Sequence, residues 1–259
     1  MRIPVGTLYH LAVGCGDASI IRCDHATFLI DCHNIEHHSD LLPSTKHLRG
    51  VFITHQHYDH YSGLGYLRRK GYSIEHLICS PYLRRHGDNS VSIEEWNDFD
   101  NHRRYFERHG TQFHTPYRQD DWSQPWWKPN ELAIWIAGPA RAVATSDTRE
   151  LHDACLVLSV RAGHRTFCFT GDASDANLSE IARTTTNYCN DVLHASHHGS
   201  INGADLDFIK NSRAQYTVIS TESGVHDSVP HPTAMQRYSD YTSRHVYRTD
   251  TSGTLVWSF

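Results

Sequence analysis

Four metal-capable side chains crowd into the six residues His55-Gln-His57-Tyr-Asp59-His60, at a spacing that serves two cations. His55 and His57 can converge on one ion across a single intervening residue, while Asp59 and His60 point to a neighbouring position. Imidazole and carboxylate together suit Zn²⁺, Mn²⁺ or Fe rather than Ca²⁺ or Mg²⁺. The apolar run Val51-Phe-Ile-Thr54 before them reads as a buried strand, and Ser62-Gly-Leu-Gly65-Tyr-Leu67 after them opens a helix. A strand-to-helix turn exposes its residues on one rim of a sheet, where layered α/β folds build their sites. The bland alternative is a histidine-rich surface turn, and the spacing behind this strand argues against it.

Later segments supply what this motif lacks. The apolar strand Thr166-Phe-Cys-Phe-Thr170 runs into Gly171-Asp172, so Asp172 can place one carboxylate oxygen on each of two cations. Its competing role is to cap a helix, since Ser174-Asp175 follows. Asp191-Val-Leu-His-Ala-Ser leads to His197-His198-Gly199-Ser200. His197, nearer the strand end, is assigned to the second metal and His198 to a substrate-facing or acid role. Glu150-Leu-His152-Asp153 precedes another strand, with His152 as third ligand of the first metal and Asp153 as its substitute. In Pro230-His231-Pro232, His231 stands before a helix N-terminus, where it could meet a phosphate or carboxylate or simply make a turn.

The elements that must position these residues begin with three strands: Thr7 to Val13, Ala18 to Arg22 and Thr27 to Ile30. Further strands are expected at 51–54 and 76–80. The capping box Ser92-Ile-Glu-Glu95 opens a helix that sets Trp96, Phe99 and Phe106 on one face. From Leu132 the pattern restarts, with strands at 132–137, 155–160, 166–170, 191–196, 215–220 and 253–257. Helices are expected around 175–187 and 204–212 and from Pro232. Both halves run strands first and then strand-helix alternation. The expectation is a single α/β domain over 1–259, two sheets face to face with helices outside. Residues 84–130, with Trp122, Trp126 and Trp127, read as an aromatic-rich excursion over the substrate groove. Those tryptophans could stack bases, although packing against the core is the competing use.

Composition narrows the class. With 20% charged and 39% apolar residues the 259-residue chain is globular. Its net charge of −5 argues against a general nucleic-acid scaffold, though not against an enzyme that meets a few phosphates through metals. With 22 histidines in the chain, most must be something other than ligands. No apolar run approaches a membrane span and no leader pattern opens the chain, so a cytoplasmic protein is expected. The seven cysteines are odd in number and scattered mostly through apolar runs, which favours buried free thiols.

Taken in order, His55-x-His57-x-Asp59-His60 and Thr170-Gly171-Asp172 resemble the defining motifs of the metallo-β-lactamase superfamily. Within it the chain looks most like the hydrolase domain of the competence proteins of DNA uptake. That narrower likeness rests on Val13-Gly-Cys-Gly16-Asp17, Phe28-Leu-Ile-Asp31, Phe169 to Asp172, His197 to Ser200, and His231-Pro232. The resemblance implies the four-layer αββα sandwich and a hydrolase with two divalent metals, Zn²⁺ or Mn²⁺. Phosphodiester bonds are its implied target, and a nucleic acid or nucleotide its substrate. Attack would come from a metal-activated hydroxide, with Asp59 orienting the water and taking its proton. His198 or His231 would stabilise phosphoryl oxygens or protonate the leaving group. Two departures stand out: His152 and Cys155 replace the competence-type Asn and Ser, and the accompanying membrane segments are missing. The rival readings are a hydrolase of a small thioester, lactone or β-lactam, and a non-catalytic module that keeps its metals to bind nucleotides.

Overall fold

A computed structural model describes residues 6–129, 132–226 and 228–259; position 130, the expected end of the aromatic excursion, lies outside them. The strands in chain order are β1 (Gly6–His10), β2 (Ala18–Cys23), β3 (Ala26–Cys32), β4 (His47–Ile53), β5 (Ser73–Cys79), β6 (Gln112–His114), β7 (Leu132–Gly138), β8 (Val157–Ala162), β9 (Arg165–Phe169), β10 (Val192–His194), β11 (Tyr216–Ile219), β12 (His245–Arg248) and β13 (Leu255–Ser258). They form two mixed sheets, one ordered β13-β1-β2-β3-β4-β5-β6 and the other β12-β11-β10-β9-β8-β7. In each, antiparallel pairs at one side give way to parallel pairs at the other, β3 through β6 and β9 through β12.

The period of two in these strands sorts their side chains into two burial layers. Phe28, Ile30, Phe52 and Ile78 face the other sheet and meet Ile134, Ile136, Leu158, Val160, Phe167 and Phe169. The alternate residues Leu29, Val51, Ile53 and Leu77 face outward onto α1 (Gly63–Arg69) and α2 (Ile93–Arg108), through Leu64, Leu67, Phe99 and Phe106. On the second sheet Val157, Cys168, Leu193 and Ile219 face α3 (Asp175–Thr184), α4 (Leu206–Ser212) and α5 (Pro232–Tyr241). Strands covered on both faces read as near-continuous apolar runs, which is why the parallel strands were plain in the sequence. The architecture is the four-layer αββα sandwich. Cys32, Cys79, Cys155, Cys168 and Cys189 are buried free thiols. None of the helices is long and apolar enough to cross a membrane, among the described residues.

Most of the excursion at 84–130 packs on the outside and side of the sandwich, while its first residues, Arg85 to Ser90, line a cavity beside His57. The capping box closes as expected, Ser92 Oγ accepting from Glu95 N at 3.1 Å, and it starts α2 in the outer layer. Residues 112–114 add β6 as an edge strand parallel to β5. Trp127 packs edge-on to Phe28 and beside Phe52, and Trp122 lies parallel to Trp135 with an interplanar angle of 9°. Trp126 and Trp127 thus plug the open side of the inter-sheet core, and packing rather than base stacking accounts for them. Two residues of the excursion reach the site: Ser90 O accepts from His57, and Glu95 in α2 accepts from Tyr58 N in the turn between His57 and Asp59.

Candidate metal centre

The ligand-bearing turns all leave the same rim of the sandwich. Thr54-His55 continues β4, and the chain stays extended through His57 (φ −84°, ψ 149°) before a single helical turn carries Asp59 and His60. Facing it, β9 ends in Thr170 and Gly171, which presents Asp172. Gly171 has φ +46°, and a Cβ there would lie 2.4 Å from Thr54 Oγ1, so only glycine lets the two sheets' turns approach this closely. The backbone bond from Leu156 N to Thr54 O, 2.8 Å, stitches the rims together. His152 arrives on the short turn Leu151–Ala154, and His198 from the turn after β10.

Two main ligand groups result, His55, His57, His152 and Asp172 in one, Asp59, His60 and His198 in the other, and a further trio, Asp17, His60 and Asp172, shares a member with each. Asp172 faces both. Its Oδ2 lies 3.8 Å from His55 Nε2 and 3.9 Å from His152 Nε2, while its Oδ1 lies 3.2 Å from His60 Nε2 and 3.6 Å from His198 Nε2. Asp172 Oδ1, His60 Nε2 and His198 Nε2 are buried without hydrogen-bond partners. Buried polar atoms rarely go unpaired. Atoms that converge without hydrogen-bond geometry are arranged for a common centre, so the residues fit one or more cations.

The remaining nitrogens are tied back, which fixes each ring. His57 Nε2 donates to Ser90 O at 2.8 Å and leaves Nδ1 facing the site, 3.2 Å from His55 Nε2 and 3.3 Å from His152 Nε2. His60 Nδ1 pairs with Asp31 Oδ2 at 2.9 Å, and His198 Nδ1 donates to Ser220 O at 3.0 Å. Asp31 is itself held by Thr54 N at 2.8 Å and Thr54 Oγ1 at 2.7 Å. Asp17 backs the second group, its Oδ1 3.6 Å from both His198 Nδ1 and His194 Nε2. Asp31 and Asp17 carry no assigned role in the sequence reading. The available signal was a carboxylate ending an otherwise apolar strand, as in Phe28-Leu-Ile-Asp31, because an ion in that position needs a partner.

His197 and His198 exchange their expected places. Both adopt left-handed backbone, φ 51° and 53°. That uncommon pair of residues turns His198 inward to Asp59, 3.4 Å from its Oδ2, and leaves His197 26% exposed at the mouth, its ring 4.6 Å from that of His152. His197 Nε2 is 3.7 Å from Asp172 Oδ2 but belongs to neither ligand group. His152, not Asp153, enters the first group; Asp153 instead accepts from Glu150 N at 2.9 Å and from the Ser174 hydroxyl. His231 is the N-cap of α5, its Nδ1 accepting from Thr233 N at 3.1 Å, and its backbone N–H donates to Gly199 O. It secures the His197–Gly199 turn rather than joining the cluster. Cys155 is buried below His55, Sγ to Nδ1 4.0 Å.

The charges divide the histidines into two kinds. Burial pushes His55 far below the usual imidazole range, and burial with the neighbouring His197 and His57 takes His152 down to about 4 against the pull of Asp172. These are neutral nitrogens ready to bind. Burial opposes protonation of His198 too, yet Asp172, Asp59 and Asp17 raise it to about 9; His60 is raised by Asp172 and Asp31 in the same way. Asp59, despite burial, is held down to about 2 by His60 and His198. A cation entering the second group must therefore displace protons. Apparent metal affinity is expected to rise with pH until about 9, with proton release read as a buffer-dependent enthalpy in titration calorimetry. An affinity independent of pH over that range contradicts the assignment. For the metal-free chain the sign reverses: the stability His198 contributes is fully present below its ordinary 6.5 and fades as pH climbs through about 9.

Comparison with known proteins shows the family. Residues 27–187, more than half the chain, match the family described as beta-lactamase superfamily domain. The chain belongs to the β-lactamase superfamily. It is 29% identical over 201 residues to Recombination protein 2 of Haemophilus influenzae, covering 76% of this chain and 24% of that protein. It is 27% identical over 113 residues to ComE operon protein 3 of Bacillus subtilis, covering 44% of this chain and 14% of that one. The chain thus spans about a quarter or less of these relatives. Among solved structures, the metallo-β-lactamase fold protein YhfI of Bacillus subtilis superposes with a TM-score of 0.58 at 15% identity, over 98% of this chain and all of that one.

Proposed function

We propose that the chain is a hydrolase of phosphodiesters that works with two divalent cations, Zn²⁺ or Mn²⁺, on a nucleic acid or nucleotide. The observation that carries it is the division of Asp172, one oxygen toward His55 and His152 and the other toward His60 and His198. His55, His57 and His152 would hold one cation, Asp59, His60 and His198 the other, with Asp172 between. When bound, such a pair supplies a lowered water pKa and a sink for charge developing on phosphorus and the leaving oxygen. Asp59, ionised and partly open to solvent, orients the attacking water and takes its proton. His197, at the mouth, is placed to meet phosphoryl oxygens or the leaving group, the work first given to His198. Asp31, Asp17, Ser90 and Ser220 hold rings in place and exclude water from behind. Likeness to a protein named for recombination supports a phosphodiester target.

A small carbonyl ester is the second reading, favoured by the pairing of the two nearby arginines, Arg85 with Asp147 at 3.7 Å and Arg149 with Asp88 at 3.9 Å. Beside the first group a cavity of about 570 Å³ carries Arg85 and Arg149, but also Asp88, Asp147 and Glu150.

Both readings meet one assay. Bis-p-nitrophenyl phosphate, p-nitrophenyl acetate and labelled single- and double-stranded DNA are incubated with Mn²⁺ or Zn²⁺ and again after chelation. Metal-dependent cleavage of the phosphodiesters is expected, reduced by at least about 100-fold in His57→Ala. Cleavage of the acetate alone, with two metals bound, moves the assignment to carbonyl chemistry.

A further inference from the structure

Different parts of the chain support the two main ligand groups. Asp31 and Ser220 tie the rings of His60 and His198 in the second group, with Asp17 behind His198. The first group rests on the segment 80–91, between β5 and α2, through two serines that repeat one pattern. Ser80 O accepts from Gln56 Nε2 at 3.2 Å, and the Ser80 hydroxyl donates to Ala154 O at 2.7 Å. Ser90 O accepts from His57 Nε2 at 2.8 Å, and the Ser90 hydroxyl accepts from Leu151 N at 3.1 Å. Each serine thus joins the first motif to the turn Leu151–Ala154 that carries His152, Ser80 at one end of the turn and Ser90 at the other. His57 and His152 are 95 residues apart in the chain, yet their ring nitrogens meet at 3.3 Å. This strap bonds to both of their segments.

The strap is itself pinned at Ser90. Asp88 Oδ1 accepts from Ser90 N at 3.0 Å and from the Ser90 hydroxyl at 2.7 Å. Asp88 Oδ2 accepts from the Tyr82 hydroxyl, and Arg149 stands behind both, Nη1 3.9 Å from that oxygen and its guanidinium 5.1 Å over the Tyr82 ring. Arg84 closes the loop on itself, Nη2 donating to Asp88 O at 2.8 Å and Nε to Val91 O at 3.2 Å. A hydroxyl whose proton is committed to a carboxylate has only lone pairs left, which is what Leu151 N requires. Removing that hydroxyl takes a partner from Leu151 N and another from Asp88. The turn bearing His152 and the carbonyl that orients His57 then lose their common anchor. Groups that fix the orientation of a ligating ring commonly govern the affinity of its site.

We infer that Ser90, anchored by Asp88, is a positioning residue that sets the metal affinity of the first ligand group and leaves that of the second unchanged. The inference rests on the two-cation reading of the centre and is independent of which ester is cleaved. Co²⁺ is the probe, followed by its visible absorption and by calorimetry in two backgrounds. His198→Ala disables the second group and leaves the first to bind; His152→Ala does the reverse. Ser90→Ala should weaken Co²⁺ binding about 10- to 100-fold in the His198→Ala background and shift its absorption bands, with a change below about twofold in the His152→Ala background. Ser90→Thr, which keeps the hydroxyl, should restore both the affinity and the spectrum. Asp88→Ala should act in the same direction, and it carries the comparison if Ser90→Ala does not fold. Equal weakening in the two backgrounds would mean a general loss of structure. Unchanged binding in the His198→Ala background would mean that His57 and His152 are placed without the hydroxyl. Either result overturns the inference. A parent chain that binds no Co²⁺ would overturn the metal centre itself, which separates that failure from this one.

Discussion

Asp172→Asn is expected to yield a folded chain that binds fewer than two metal ions and turns over phosphodiesters about 10³-fold more slowly. The amide keeps the shape of the carboxyl but replaces one of its two acceptor oxygens with a donor, so one ligand group must lose its share of the bridge. The loss should fall on the second group. There the carboxylate is also the largest of the charges that keep His60 and His198 protonated above the usual imidazole range, and without it both rings lose that support. Removing one partner from a buried charge cluster also destabilises a metal-free fold, by about 3–5 kcal/mol where nothing relaxes. The variant is therefore compared by thermal melting with and without metal, alongside metal content by mass spectrometry and turnover. A catalyst loses far more turnover than a binder loses affinity. A variant that holds two metals and hydrolyses within tenfold of the parent would contradict the bridging role.

How much of this was legible depends on whether a residue's job is set locally or across the chain. The first motif could be read because His55, His57, Asp59 and His60 lie within one turn after a strand whose apolar run betrays its burial. Asp172 could be read only beside the first motif, since a carboxylate after a glycine and an apolar strand could equally cap the helix that follows. Two sheets face to face were expected because both halves run strands first and then strand-helix alternation, and the αββα layering came with the resemblance. What failed needed three dimensions. Nothing in the letters His197-His198-Gly199 shows that two successive residues take left-handed backbone and so decide which ring turns inward. Asp31 stood in plain view, but its duty to His60 lies 29 residues away and only the fold brings them to 2.9 Å. The aromatic segment misled because tryptophans sealing the side of a sandwich and tryptophans lining a groove have the same composition. Here Trp127 meets Phe28, far from it in sequence, on the core side. The short strands β6 and β12, three and four residues long, carry too few positions for a period to register.

The exchange of the two adjacent histidines gives the sharpest test of the site, because the alternatives differ by one position. His198→Ala removes a ring 4% exposed that faces Asp59 and Asp172 and is anchored by Ser220. It should lower affinity for the second metal by at least about 100-fold, with turnover falling alongside it. Excess Mn²⁺ should restore part of the activity, since what is lost is a ligand and not the acid or the water. His197→Ala removes a ring at the mouth that anchors neither ligand group. Both metals should stay bound, and kcat should fall by about 10²-fold without rescue by metal. That loss should shrink for diesters with a good leaving group such as p-nitrophenolate, which needs little protonation. The opposite pattern, with metal loss in the His197 variant and a leaving-group effect in the His198 variant, would restore the order that chain proximity suggested. It would also mean that the paired left-handed residues turn the other ring inward in solution. The backbone geometry makes a definite choice between these outcomes, because only one of two consecutive side chains at such a corner can share a pocket with Asp59.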